Sequence, residues 1–230
     1  MKLQYLGDSR DAFKWDLLHW ICTTSPFSNL VFVPLLTSDV EGSGEGLTSP
    51  DRFRCQDFIR PFLASLKERP RSMERISVLG TLHAERQFPV SIFAPDRVIG
   101  SGAVRHEYWK DFDAKAFENS IVFYDPDNGF ETRTQSGPKW IEHAELKNLF
   151  VRLPETSVAL VYQHRPRRTW TDMFANLTER LAYVPAACAV HESTLAFIAM
   201  AGNVTAGVQI AAAMKKYAEA HPSVEFAPLI

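Results

Sequence analysis

Uninterrupted runs of apolar, β-favouring residues alternate along this chain with segments whose apolar residues recur at helical spacing. Continuous runs of this kind are typical of strands buried on both faces, as in a parallel sheet covered by helices. The predicted strands are Asn29–Leu36, Ser77–His83, Val90–Ala94, Ile121–Tyr124, Ser157–Tyr162, Ala186–Val190, Thr194–Met200 and Val224–Pro228.

Apolar residues spaced by three and four predict the helices between these strands. Asp8 is a favourable N-cap residue for the first helix, and Pro70 is expected to stop the second. The predicted helices are Asp8–Cys22, Asp51–Glu68, Ile141–Arg152, Trp170–Leu181 and Val204–Ala220. The alternation predicts an α/β fold with a mostly parallel sheet in three layers, built as a single domain over residues 1–230.

Polar residues follow the strand Ile121–Tyr124 directly, in a segment where proline and glycine favour a tight turn. In open α/β sheets, ligands bind beyond the carboxyl ends of the strands. The segment therefore supplies four candidate site residues: Asp125, Asp127, Asn128 and Glu131. The alternative is a surface turn without a site, since the same residue types favour turns everywhere.

A second polar group follows the strand Ser157–Tyr162, and its candidate residues are Gln163, His164, Arg165 and Arg167. A helix is predicted between the two strands, and a strand–helix–strand unit makes its strands parallel. Both polar groups are then expected at the same edge of the sheet. Either group alone is compatible with an ordinary surface bend, but their joint occurrence favours a binding or catalytic cleft.

Two further segments supply candidate cofactor-binding residues. Asp8, Asp11 and Lys14 lie in the first predicted helix, where Asp11 and Lys14 form either a solvent-exposed i,i+3 pair or part of a ligand cleft. Thr37 and Asp39 follow the strand Asn29–Leu36 and precede the glycine-rich stretch 42–46. That stretch is a weak match to a nucleotide-binding loop, and a mobile surface loop is the alternative.

Composition narrows the class of protein. With 25 basic and 27 acidic residues the formal net charge is -2, so no global attraction to nucleic acid is evident. The cysteines, Cys22, Cys55 and Cys188, lack the spacing of a zinc site or a disulfide framework. Neither a signal peptide nor an apolar run of membrane-spanning length is found, which favours a cytoplasmic protein. Motifs for a serine nucleophile elbow or a Walker-type phosphate loop are absent from the sequence.

The segment Gly7-Asp-Ser-Arg-Asp-Ala-Phe-Lys14 is similar to the Gly-Asn-x-Ala-Asp-x-x-Lys pattern of bacterial large-subunit ribosomal RNA adenine methyltransferases of the RlmJ type. Asp125-Pro-Asp-Asn128 resembles their Asp-Pro-Pro-Tyr motif, with Asp127 and Asn128 standing where that family has proline and tyrosine. The chain also resembles a group of bacterial proteins that carry Tyr-x-Gly-Asp, Asp-Pro-Asp-Asn-Gly and Tyr-Gln-His motifs, and this second resemblance implies no activity.

The methyltransferase resemblance implies a Rossmann-like, class I methyltransferase-like fold. It also implies S-adenosylmethionine beside Asp8, Asp11 and Lys14, and an adenine amine that donates a hydrogen bond to Asp125. The expected activity is methyl transfer to a nucleic acid or nucleotide-type acceptor.

Two other functions remain open from the residues alone. The first is a Mg²⁺-dependent phosphodiester hydrolase or nuclease, with Asp125, Asp127 and Glu131 as metal ligands and His164 as the acid or base. Arg165 and Arg167 would hold phosphate in such an enzyme. The second is a non-catalytic module that binds a nucleotide or a protein partner. No membrane partner is expected, and the oligomeric state is left open.

Overall fold

A seven-stranded sheet in the order β2-β1-β3-β6-β8-β7-β9 forms the centre of the molecule. The computed structural model describes residues 1–38, 53–165 and 167–230. The strands are β1 (Asn29–Val33), β2 (Val90–Ile92), β3 (Ser120–Tyr124), β6 (Val158–His164), β7 (Ala186–His191), β8 (Leu195–Ala201) and β9 (Glu225–Pro228). The short strands β4 (Gly129–Phe130) and β5 (Trp140–Ile141) form a separate two-stranded sheet.

Strands β2, β1, β3 and β6 are parallel neighbours, whereas β8 runs antiparallel to both β6 and β7, and β9 runs antiparallel to β7. The predicted parallel pairing of the strands at 121–124 and 157–162 is confirmed, since β3 and β6 are hydrogen-bonded to each other. From β1 the chain passes to β2 on one side, and β3 then lies on the other side of β1. This reversal of strand order creates a topological switch point between β1 and β3, where ligands of open α/β sheets bind.

Helices cover both faces of the sheet. They are α1 (Ser9–Thr24), α2 (Ile59–Lys67), α3 (Ala103–Trp109), α4 (His143–Phe150), α5 (Trp170–Arg180) and α6 (Val204–Ala220), with short 3₁₀ helices at Leu3–Tyr5, Met73–Thr81 and Ala114–Ala116. Alternate strand residues point to opposite faces, so Ile121 and Phe123 pack with α1, α2 and α6, whereas Val122 and Tyr124 pack with α3, α4 and α5. The predicted α/β architecture with a mostly parallel sheet is confirmed.

Two of the predicted elements differ most from the structure, while β1 ends before its predicted end and α4 begins after its predicted start. The strand predicted at Ser77–His83 is wrong, because this segment belongs to the 3₁₀ helix Met73–Thr81. Its buried residues Met73, Ile76 and Leu79 recur every third position, which is the period of a 3₁₀ helix. The helix predicted over Asp51–Glu68 is shorter among the described residues and begins at Ile59, two residues before Pro61, which is tolerated only in a first turn.

A buried polar network joins α1 to the end of α6. The carboxylate of Asp16 is completely buried and accepts a hydrogen bond of 2.8 Å from the Tyr217 hydroxyl. His221 places Nε2 at 3.2 Å from the same carboxylate and Nδ1 at 2.9 Å from the Tyr217 carbonyl. Because a carboxylate and a carbonyl are both acceptors, the geometry favours an imidazolium ring with a proton on each nitrogen. This charged contact stabilises the packing of α1 against α6.

None of the helices in the described ranges combines the length and the apolar character needed to cross a membrane.

Candidate functional site

A small polar cavity of about 50 Å³ lies at the carboxyl ends of β3 and β6, against the start of α1. Its lining comes from the segment Met1–Lys14, from Asp125–Asp127, and from Tyr162 and His164. The backbone amide of Asp125 donates to the carbonyl of Val33 at the end of β1, so the cavity adjoins the switch point between β1 and β3. The two predicted polar groups therefore contribute to one concavity through Asp125, Asp127 and His164.

Lys14 is buried between two carboxylates in this cavity. Its ammonium lies 2.8 Å from Asp11 Oδ1 and 2.8 Å from Asp125 Oδ2, and all three side chains are buried. The interpretation of Asp11 and Lys14 as a solvent-exposed pair is therefore wrong. Helix α1 is buried over most of its surface, and Asp11 and Lys14 lie on the buried part. These two charges are consequently paired inside the protein.

The ionisation of this cluster follows from two carboxylates sharing one ammonium. Burial alone would lower the pKa of Lys14, but the charges of Asp11 and Asp125 outweigh it and raise that pKa, so Lys14 stays charged. Burial raises the pKa of Asp125, and the charge of Lys14 opposes this only in part. Asp8 accepts hydrogen bonds from the amides of Arg10 and Asp11 as the helix cap, and burial together with the charge of Asp11 raises its pKa.

Asp127 is held by two groups from the first part of the chain. Its Oδ1 lies 2.8 Å from the amino group of Met1, and its Oδ2 accepts a hydrogen bond of 2.6 Å from Thr37 Oγ1. Burial alone would raise the pKa of Asp127, but the charge and hydrogen bond of the amino group outweigh it and lower that pKa. The candidate residue Thr37 therefore contacts the cavity indirectly, by orienting the Asp127 carboxylate.

Tyr162 and His164 form a pair on one face of β6, because side chains two positions apart in a strand point the same way. The Tyr162 hydroxyl lies 3.0 Å from His164 Nε2, and the Lys14 ammonium sits 5.2 Å from the centre of the Tyr162 ring. Burial, with the nearby charges of Arg10 and Lys14, lowers the pKa of His164 to about 4. The His164 ring is therefore neutral at pH 7 and is able to accept or donate a proton or a hydrogen bond.

Gln163, Asn128 and Glu131 have structural contacts and do not line the cavity. Gln163 Oε1 accepts from the amide of Phe130 at 2.8 Å, and its Nε2 donates to the carbonyl of Asn128 at 3.1 Å. These bonds fasten β4 beside β6. Glu131 Oε1 accepts from the amide of His143 at 2.8 Å and thereby caps the start of α4.

The two candidate arginines after β6 are exposed to solvent. Arg165 Nη1 donates to the carbonyl of Ser193 at 3.1 Å, which ties this residue to the turn between β7 and β8. The candidate residue Asp39 and the glycine-rich stretch 42–46 lie outside the described residues. Neither arginine lines the cavity.

The cavity is also lined by Lys2, Arg10 and Tyr162, which are not among the residues predicted from the sequence. Among the described residues, the side chains of Lys2 and Arg10 have no ion pair or hydrogen bond. Two signals in the sequence could have identified part of this set. Arg10 lies one helical turn before Lys14, and Tyr162 lies two positions before His164 on the same strand face.

A second concavity of about 450 Å³ lies at the same edge of the sheet. Its lining is largely aliphatic, from Val98, Ala103 and Val104, with Arg97, Glu107 and Tyr108 beside them. Val98 pairs with Leu36, the residue before Thr37, whose hydroxyl donates to Asp127. The segment Leu36–Thr37 therefore connects the polar cavity to this aliphatic groove, which is lined by Arg97, Val98, Ala103, Val104, Glu107 and Tyr108.

The carboxylates proposed for Mg²⁺ each have a different partner within the protein. Asp125 faces Lys14, Asp127 faces the amino group of Met1, and Glu131 caps α4. Within the ranges that the structure describes, no group of three acidic, histidine or cysteine side chains is placed to hold a metal ion.

Comparison of the chain with family models, with curated proteins and with solved structures finds no match. The function of the cavity is therefore inferred from its geometry.

Proposed function

We propose that this chain binds a nucleotide-type ligand at the carboxyl edge of β1, β3 and β6. The observation that carries the proposal is that the polar cavity adjoins the switch point between β1 and β3. Open α/β sheets bind their ligands at this position, because the loops on either side diverge there and leave a crevice.

The two concavities support a ligand with one polar and one apolar part. The aliphatic groove, at about 450 Å³, has the volume of a small-molecule site, whereas the polar cavity at about 50 Å³ accommodates only a small polar group. A nucleotide combines a flat, weakly polar base with a charged phosphate. We assign the base to the aliphatic groove and the charged part to the polar cavity.

The proposed fold relationship is a Rossmann-like, class I methyltransferase-like architecture. The parallel strands, the reversal at β1 and the helices on both faces support it. The chain also ends in a strand, a helix and a strand, as the family resemblance implies. Fold alone does not determine the reaction, so methyl transfer to a nucleic acid or nucleotide-type acceptor is a second candidate.

The polar cavity alone, at about 50 Å³, is too small to enclose S-adenosylmethionine or a whole nucleotide, since sites for ligands of that size enclose roughly 300–1,000 Å³. The ammonium of Lys14 also occupies Asp125 Oδ2, an oxygen that the resemblance would assign to an acceptor amine. The geometry therefore supports nucleotide binding over methyl transfer, and it supports a Mg²⁺-dependent hydrolase least.

Calorimetric titration of the purified chain tests the proposal with AMP, adenosine, S-adenosylmethionine, S-adenosylhomocysteine and MgCl₂. Binding of AMP is expected, with affinity reduced at least tenfold in His164→Ala, whereas any binding of adenosine should not depend on His164. His191→Ala is the matched control, because His191 ends β7 in the same sheet and does not line the cavity. The control should bind as the wild type does.

Three results of this titration would contradict the proposal. Absence of binding by every nucleoside and nucleotide would exclude a nucleotide site, and equal loss of affinity in both histidine variants would place the site elsewhere. Binding of S-adenosylmethionine without AMP would favour the methyltransferase, whereas binding of Mg²⁺ alone would favour the hydrolase.

A further inference from the structure

We infer that Lys2, Arg10 and His164 form a phosphate-binding subsite at the polar cavity. The inference rests on the proposed nucleotide function and specifies which chemical group of the ligand enters this cavity. It does not follow from the motifs in the sequence, because Lys2 and Arg10 belong to neither of the two predicted polar groups.

The first argument is the pairing of charges around the cavity. Asp11 and Asp125 share Lys14, Asp127 pairs with the amino group of Met1, and Asp8 accepts two backbone amides of α1. Each lining carboxylate therefore already has a partner within the protein.

The two remaining cations are not held in a contact ion pair. In the part of the chain that the structure describes, Lys2 and Arg10 form no ion pair, although both line the cavity. Lys2 is 8% exposed and its charge acts on Asp127, a carboxylate that is already paired with the amino group of Met1, whereas Arg10 is exposed to solvent. Both cations are therefore available to a phosphate anion at the cavity, to which they would form charge-assisted contacts.

The third group is the neutral ring of His164. Its Nε2 lies 3.0 Å from the Tyr162 hydroxyl. If Tyr162 donates to Nε2, the ring proton resides on Nδ1, and Nδ1 then acts as a hydrogen-bond donor toward a ligand oxygen. A phosphate group has several acceptor oxygens and accommodates two cations and one neutral donor together.

The volume of the cavity also fits a small anion. A space of about 50 Å³ holds a few water molecules, since each needs roughly 10–15 Å³ of space by the same measure. One phosphate group would displace those waters, whereas a nucleoside would not enter. The nucleoside part of the ligand is therefore expected outside the cavity, toward the aliphatic groove.

The test is calorimetric titration of the full chain with inorganic phosphate, AMP and adenosine, at constant ionic strength set with NaCl. Lys2→Met and Arg10→Gln each remove one charge and retain most of the side-chain volume. Lys215→Met on α6 and Arg180→Gln on α5 are the matched controls, because both residues are exposed and neither lines the cavity.

Phosphate is expected to bind the wild type, and AMP is expected to bind more tightly than adenosine. Each site variant should lower the affinity for phosphate and for AMP about tenfold, which corresponds to about 1.4 kcal/mol of binding free energy. The affinity for adenosine should not change. The two control variants should bind all three ligands as the wild type does. Circular dichroism and unliganded melting temperature check that each variant is folded.

The outcomes separate the subsite from the proposed function. If AMP and adenosine bind with equal affinity while phosphate and AMP gain nothing from Lys2 or Arg10, the subsite is wrong and the nucleotide function stands. If phosphate binds through Lys2 and Arg10 while no nucleoside or nucleotide binds more tightly, the subsite stands and the nucleotide function fails. Equal phosphate affinity in the site and control variants would overturn the inference directly.

Discussion

Replacing Lys14 by methionine removes the ammonium that Asp11 and Asp125 share and keeps a side chain of similar length. Because the three side chains are only 2–6% exposed, both carboxylates would be left as uncompensated buried charges. Breaking a buried ion pair from one side costs about 3–5 kcal/mol, whereas an exposed pair contributes about 0–1 kcal/mol. Because Lys14, Asp11 and Asp125 are buried, the larger energy range applies to them.

Urea unfolding followed by tryptophan fluorescence measures the effect at pH 7. We expect Lys14→Met to lose about 3–5 kcal/mol of unfolding free energy. Asp125→Asn should lose less unfolding free energy than Lys14→Met, because Lys14 then keeps Asp11 as its partner. The double variant Lys14→Met/Asp125→Asn should regain part of the loss, because one uncompensated charge is removed.

Lowering the pH should restore part of the unfolding free energy that Lys14→Met loses. Burial already raises the pKa of Asp125, and without the opposing charge of Lys14 that folded-state pKa rises further, so the loss is largest above the folded pKa and shrinks as pH falls through it. A loss below about 1 kcal/mol at pH 7, or a loss that grows with acid, would refute the account of Lys14 as a buried shared cation.

Three further substitutions test other parts of the structure by urea unfolding. In Gly129→Ala, a Cβ would lie 2.2 Å from a side-chain oxygen at φ +107°, so we expect a loss of about 2–4 kcal/mol. Gly137→Ala, at φ +100° with open space around it, should lose only about 1–2 kcal/mol, and equal losses would contradict the close contact. Glu131→Ala should lose about 1 kcal/mol through the missing cap of α4, and no loss would remove that role. Burial alone would lower the pKa of His221, but its hydrogen bonds to Asp16 and a backbone carbonyl outweigh it and raise that pKa. The advantage of the wild type over His221→Gln should therefore be fully present below pH 6.5 and decline as pH rises through the folded pKa, and a difference independent of pH would contradict the imidazolium.

The order of elements could be predicted from the sequence because most strands are buried on both faces. Strands such as β3 and β8 consist of buried residues throughout, so they stand out as continuous apolar runs. The 3₁₀ helix Met73–Thr81 was not predicted, because periodicity does not distinguish a short strand from a short helical segment. Pro34 ends β1 earlier than the apolar run suggests.

Only the position of the site at one edge of the sheet could be predicted, because the backbone topology determines that position. Parallel pairing of β3 and β6 brings Asp125 and His164 to one edge, and this follows from the strand–helix–strand order. The direction of each side chain decides the rest. Gln163, between Tyr162 and His164 on β6, fastens β4, while its two neighbours line the cavity.

The partners within the cavity depend on contacts between residues far apart in the chain. Lys14 and Asp125 are brought together by the packing of α1 against the end of β3. Asp127 reaches the amino group of Met1 and the hydroxyl of Thr37 in the same way. No periodicity or local motif specifies these pairings, so burial of Lys2 and of Lys14 could not be inferred from the sequence.

The central claim is that a nucleotide-type ligand binds at the switch point between β1 and β3. An NMR titration of the isotope-labelled chain with AMP tests it most directly, because each backbone amide reports on its own surroundings. The account predicts chemical-shift changes concentrated at Lys14, Asp125 and His164, and at Val98 and Val104 of the aliphatic groove. Saturable changes confined to α5 and α6, or no changes at millimolar AMP, would contradict it.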